Sequence, residues 1–135
     1  MFIDRLIEAI REKDNPTVAG LDPKLENIPG FIREKSFKEF GKNLEGAAQA
    51  ILDFNRRLID ALHDIVPAVK PQLAYYEMYG VAGVRAFNET VRYAAGKGML
   101  VIADGKRNDI GSTAEAYSKA FLGKTVLDGA VEEAA

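Results

Sequence analysis

Three short apolar runs constrain this chain more than any other feature. They are Thr17-Val18-Ala19-Gly20-Leu21, Val66-Pro67-Ala68-Val69 and Met99-Leu100-Val101-Ile102-Ala103. Each has strand length, each is apolar at nearly every position, and stretches with helical spacing separate them. Apolar strands alternating with amphipathic helices predict a parallel α/β fold, because a parallel sheet is buried on both faces and its strands need not alternate. Residues 2–13 place Phe2, Leu6 and Ile10 at helical spacing, and Asn15-Pro16 stops that helix. Residues 46–65 carry Ala47, Ile51, Phe54, Leu58, Ala61 and Ile65 at steps of four and three, so they read as a long helix ended by Pro67. Residues 75–95 read as another, with Tyr79, Val84, Phe87, Val91 and Ala94 inward and Gly96 and Gly98 closing it. Ser112 followed by Glu115 resembles a capping box and predicts a helix to about Leu122. Residues 23–43 read as a long loop holding one short helix, and residues 124–135 as a tail of weak helical character without a closing strand.

Composition narrows the chemistry. With 135 residues the chain is one domain at most. Its 18 Lys and Arg against 20 Asp and Glu leave a net charge of −2, which gives no general attraction for nucleic acid or an anionic membrane. There is no Cys, which removes disulfides, thiolate metal sites and thiol nucleophiles, and there is one His. No apolar run approaches the roughly 20 residues of a membrane span, and the N-terminus lacks a signal-peptide core. The expected location is the cytoplasm. There is neither a glycine-rich dinucleotide fingerprint nor a phosphate loop of the Gly-Lys-Ser/Thr type.

The ends of the three runs carry the chemistry. The first reaches Asp22, the second Lys70, and the third Asp104-Gly105-Lys106-Arg107-Asn108-Asp109. The C-terminal edge of a parallel sheet is where such folds build active sites. The plainer reading of any one such end is a strand meeting its polar loop. Asp104 and Lys106 are two apart, which places their side chains on the same face of a strand. A lysine between the carboxylates of Asp104 and Asp109 would stay charged and fixed. Two Asp could instead bind magnesium, though an ammonium between them would compete with the ion. His63 reads as a charge partner for a helix C-terminus rather than a catalytic group. Tyr75 and Tyr76 read as packing residues, and Gln72 as a loop residue with the sheet mouth as its other option. Arg107 and Asn108 read as lying behind Lys106.

The stretch Asp104-Gly105-Lys106-Arg107-Asn108-Asp109-Ile110-Gly111-Ser112-Thr113 resembles the signature of the orotidine 5′-phosphate decarboxylase family. Val18-Ala19-Gly20-Leu21-Asp22-Pro23 and Val69-Lys70-Pro71-Gln72 are similar to its longer, second subgroup. The resemblance implies a TIM (β/α)₈ barrel of which this chain supplies roughly the first three βα units. It implies decarboxylation of orotidine monophosphate to uridine monophosphate in pyrimidine biosynthesis, without metal or organic cofactor. Carried over by position, Asp104 lies beside the substrate carboxylate and Lys106 protonates C6. Lys70 bridges the ribose hydroxyls and Asp104, and Asp22 binds the ribose. Asp109 and Thr113 reach the active site of the other subunit of a homodimer. A magnesium-dependent sugar-phosphate lyase of the same superfamily and a non-catalytic barrel fragment are the alternatives. A complete barrel needs about 250 residues. Residues 1–135 are therefore expected to be the N-terminal part of one barrel domain, apparently truncated, with the phosphate loop, the lid and the last-strand Arg of the family lying further on. Alone, such a piece is expected to be unstable or to associate through its missing wall, and its own activity is doubtful.

Overall fold

The computed structural model describes residues 1–132 of the chain. Helix α1 (Phe2–Lys13) leads into strand β1 (Val18–Leu21). A 3₁₀ turn (Leu25–Asn27) and helices α2 (Gly30–Phe40) and α3 (Leu44–Leu62) follow, then strand β2 (Ala68–Pro71). Helices α4 (Ala74–Glu77) and α5 (Gly80–Gly96) lead to strand β3 (Leu100–Val101). Helix α6 (Gly111–Leu122) and strands β4 (Thr125–Leu127) and β5 (Ala130–Glu132) complete the order. The chain divides into two compact units, Met1–Asp104 and Gly105–Ala135.

In the first unit the three strands form a parallel sheet in the order β1-β2-β3, with Val18 opposite Ala68 and Ala68 opposite Leu100. Strand pleating divides its residues between two faces. Leu21, Val69 and Met99 are buried among Ile59 of α3, Val66 and Ala94 of α5, with Ala19 and Val101 packed against them. This is the helix-covered face, and it holds the core. Gly20, Lys70, Gln72 and Asp104 are of the opposite phase. The ladder continues past Val101: Ile102 N donates to Val69 O at 2.9 Å, and Asp104 N to Pro71 O at 3.1 Å. The regular part of β3 is short because the donor alternation along β2 assigns Ile102 O to the N–H that Pro71 lacks. Pairing resumes one step on, where Gln72 bridges Asp104 and Leu73 N donates to Asp104 O at 2.9 Å.

Several expected elements differ in detail. The loop of residues 23–43 holds an eleven-residue helix, α2, that packs on α3 and buries Ile32 and Ser36. Helix α3 starts at Leu44, where Asn43 Oδ1 accepts from Gly46 N at 3.0 Å, and it ends at Leu62, short of Pro67. Residues 75–95 are two helices, parted at Met78-Tyr79, and the second opens on Gly80, whose φ of +62° is left-handed. The capping box at Ser112 does not form: α6 starts at Gly111 with Ile110 as its cap residue and no side-chain cap bond. The tail is a two-stranded antiparallel hairpin turning on Asp128-Gly129, with φ of +21° and +88°. Positive φ at both central residues is the type I′ arrangement that Asp-Gly favours. Residues 133–135 of that tail lie outside the described residues. Among the described residues no helix is long and apolar enough to cross a membrane.

Candidate active site

The C-terminal edge of the parallel sheet gathers three of the expected residues with one more. Lys70 lies in β2 on the face away from the helices. Its Nζ stands 3.0 Å from Asp104 Oδ2, with both side chains about one-third exposed at 35% and 36%. Both backbone groups of Asp104 bond to the neighbouring segment, its N–H to Pro71 O and its carbonyl from Leu73 N, so its Cα is fixed by the sheet rather than by a loop. Gln72 Nε2 donates to the same Asp104 oxygen at 2.8 Å. Asp22 follows the last residue of β1 and is exposed. The hydrogen bond from Lys70 to Asp104 raises the lysine pKa, against a desolvation cost, and the negative charges of Asp22 and Asp104 raise it further. Lys70 is therefore a held, permanently charged ammonium at neutral pH.

A buried polar network supports this edge from behind. Tyr76, in α4, is fully buried and donates its hydroxyl hydrogen to Leu21 O at 3.2 Å, one residue before Asp22. Asn55 Nδ2 donates to Tyr76 Oη at 2.8 Å and to Thr90 Oγ1 at 3.1 Å, and Thr90 in turn donates to Ala86 O at 2.7 Å. Burial pushes the Tyr76 phenol well above its ordinary value, and the Asp22 charge adds to that, so the hydroxyl stays a donor. Phe87 packs edge-on against the Tyr76 ring, centroids 5.2 Å apart. A cavity of about 240 Å³ opens beside Asp22, with Gly20, Lys24, Asn27 and Asn55 among its walls.

The remaining expected residues belong to the second unit. Lys106 and Asp109 lie in the irregular stretch of residues 105–110, and Thr113 lies in the first turn of α6. Regular strand pairing ends at Asp104, so the two-residue alternation expected to put Lys106 on the face of Asp104 does not extend to it. The lysine that bonds Asp104 in the first unit is Lys70. Asp109 Oδ1 accepts from Ile110 N at 2.9 Å. Arg107 lies over the rings of Tyr117 and Phe121, at 5.7 and 5.6 Å. His63 is the C-terminal cap residue of α3, its Nδ1 3.0 Å from Asp60 O. Among the described residues no cluster of His, Asp or Glu is arranged to hold a metal ion.

Gln72 was the weaker expectation, although its signal is plain: it stands two residues after Lys70, so pleating carries both side chains to one face. The Tyr76 network was missed. Its trace is Asn55, a polar residue midway between Ile51 and Ile59 on the buried stripe of α3.

Residues 20–130 match the model of the orotidine 5′-phosphate decarboxylase / HUMPS family. The chain belongs to this family. An orotidine 5′-phosphate decarboxylase from Caldicellulosiruptor saccharolyticus is 38% identical over 128 residues, which are 95% of this chain and 42% of that protein. One from Clostridium novyi is 44% identical over 122 residues, 90% of this chain and 39% of that protein. The solved structure of Leishmania donovani OMP decarboxylase superimposes with a TM-score of 0.64 at 30% identity, covering 90% of this chain and 40% of that one. The chain thus spans about two-fifths of the decarboxylases it matches. Its fold class is that of their α/β barrel, and its three strands with their helices are the first βα units of it.

Proposed function

We propose that the protein to which these residues belong decarboxylates orotidine 5′-phosphate to uridine 5′-phosphate in pyrimidine biosynthesis, in the cytoplasm and as a homodimer. Residues 1–135 are the N-terminal part of its single barrel domain. The observation that carries this reading is the Lys70–Asp104 pair at the C-terminal sheet edge, with Asp22 beside it and Lys106 and Asp109 following in the chain.

The chemistry asks for such an array. Loss of CO₂ leaves an electron pair on C6 of the pyrimidine. An ammonium facing that carbon stabilises charge that the ground state lacks, which is differential binding of the transition state. Lys106 takes this role and delivers its proton to C6 as the carbon–carbon bond breaks. Asp104 lies beside the departing carboxylate. Lys70 holds Asp104 from the other side and reaches the ribose hydroxyls, and Asp22 accepts from the ribose. Asp109 and Thr113 act in the partner's site. Because the ions are pre-organised, little rearrangement is needed during reaction. An acceleration near 10¹⁷-fold corresponds to about 23 kcal/mol, more than one ion pair supplies, so binding of the remote phosphate contributes as well. The reaction on this reading needs no metal and no organic cofactor.

The test is the fall in orotidine monophosphate absorbance with the whole protein to which these residues belong, in EDTA, beside Lys106→Ala. The expected result is turnover that EDTA leaves unchanged and Lys106→Ala abolishes. Turnover that survives Lys106→Ala, or that requires magnesium, overturns the assignment in favour of a metal-dependent lyase. Mixing Asp109→Ala with Lys106→Ala should restore part of the activity if sites are shared between subunits.

A further inference from the structure

We propose that Gln72 is the positioning residue of Asp104: its side-chain N–H occupies Oδ2 together with Lys70, locks the carboxylate rotamer and leaves Oδ1 to face the ligand. Two donors converge on a single oxygen, Lys70 Nζ from β2 at 3.0 Å and Gln72 Nε2 from just past its end at 2.8 Å. Within the first unit Oδ1 takes no hydrogen bond, although an ionised carboxylate has room for about four. The backbones of Gln72 and Asp104 are held as bridge partners, and Gln72 N donates to Leu21 O at 3.4 Å. Only side-chain torsions remain free, and those are what the Gln72 amide restrains.

The two donors are not equivalent. The Lys70 ammonium sits on a flexible stem with three rotatable donors, so it can follow Asp104 through a rotation. The Gln72 amide is planar and directional, and its backbone is tied to β1. It is also neutral. A second cation at this position would hold the same oxygen, but it would offset more of the Asp104 charge. Lys70 is the cation bonded to Asp104 in the first unit, and the amide leaves its charge unchanged.

The importance of the lock rests on the decarboxylase reading. There Asp104 stands beside an anionic substrate carboxylate, and repulsion would turn an unrestrained side chain away about χ1. The lock itself does not depend on that reading.

The experiment follows the Asp104 rotamer by three-bond N–Cγ and C′–Cγ couplings in the labelled 135-residue chain. Wild type and Lys70→Met are expected to show one χ1 rotamer, and Gln72→Leu an average over rotamers with its amide spectrum otherwise kept. A residue that merely packs would not move this readout. A single Asp104 rotamer in folded Gln72→Leu overturns the proposal. Wild-type exchange decides the matter if that variant fails to fold. The Gln72 side-chain N–H protons should exchange roughly tenfold or more slowly than those of a free glutamine, as a hydrogen bond to a charged acceptor requires. Asp104→Ala should abolish the slowing. Exchange at the free rate in wild type overturns the proposal. No nucleotide enters these measurements, so they fail or succeed apart from the decarboxylase assay.

Discussion

The two units of this chain share one sequence motif but not one kind of stability. Among the described residues, all that are buried lie in Met1–Asp104, including Tyr76, Phe87, Ile51, Ile59 and Val69. In Gly105–Glu132, α6 buries none of its residues, both hairpin strands are exposed along their length, and Leu122 is 88% exposed. The Asp-x-Lys-x-x-Asp motif crosses this divide. Asp104 is the last residue of the unit with a core, while Lys106 and Asp109 belong to the unit without one. Order in the first unit comes from apolar burial, which is non-local. Order in the second comes from local helix bonds, a turn and the stacking of Arg107 on two aromatic rings. The carboxylate of the candidate site is thus built on the sheet edge, and its candidate proton donor on irregular chain.

The largest effect that tests this contrast is a pair of truncations measured by urea unfolding. Phe87→Ala removes a ring that is 1% exposed and should cost about 3–5 kcal/mol. Leu122→Ala should change stability by no more than about 0.5 kcal/mol. Comparable losses from the two would show that the second unit has a core after all.

A smaller effect sharpens the picture inside the first unit. A Cβ added at Gly83 would stand 1.9 Å from Tyr76 O and 2.9 Å from Tyr79 Cβ, where α5 passes α4. Gly83→Ala should therefore cost about 1–3 kcal/mol, as overpacking does. Gly96, on the same helix, would meet nothing within 4 Å. Gly96→Ala should stabilise by about 0.4–1 kcal/mol through the unfolded state. Thermal melts of both variants check the pair, and destabilisation by Gly96→Ala would mean that the end of α5 is closely packed.

The smallest effect is electrostatic. Folding raises the Lys70 pKa above its ordinary 10.5, chiefly through the bond to Asp104. A raised value means that the native state holds the proton more tightly. The stabilisation is complete below pH 10.5 and is lost as pH rises through the folded-state value. Solvent screens this pair, about one-third exposed on each side, so the contribution is modest. The stability difference between wild type and Lys70→Met should shrink above that pH. Tyr76, Tyr79 and Lys97 also carry raised values, and their effects cancel in the difference. A constant difference from pH 8 to 12 would show that Lys70 and Asp104 do not interact in solution.

Much of the first unit was legible because its signals are periodic. The three apolar runs became the three strands, and the steps of four and three at Ile51, Phe54 and Leu58 became α3. What escaped was set by single residues whose effect is geometric. Gly80, with its left-handed backbone, opens the second of two helices where one was apparent. Pro71 trims β3 by withholding a donor on the neighbouring strand, which no reading of residues 99–103 alone reveals. Asp128-Gly129 overrides weak helical composition by favouring a type I′ turn. At the candidate site, the positions of Asp22, Lys70 and Asp104 followed from where the strands end. Gln72 needed the alternation carried one step past Pro71. The Asn55–Tyr76–Thr90 network joins residues 21 to 35 positions apart, beyond any local pattern.

The central claim is that the C-terminal sheet edge of the first unit binds a pyrimidine nucleotide through Asp22, Lys70 and Asp104. Titration of the labelled 135-residue chain with uridine 5′-phosphate, followed by amide and lysine side-chain shifts, tests it directly. The account predicts saturable shifts at Asp22, Lys70, Gln72 and Asp104, with the N-terminal ends of the strands silent and the response lost in Lys70→Ala. Shifts confined to other parts of the chain, or none at these four residues at millimolar nucleotide, would contradict it.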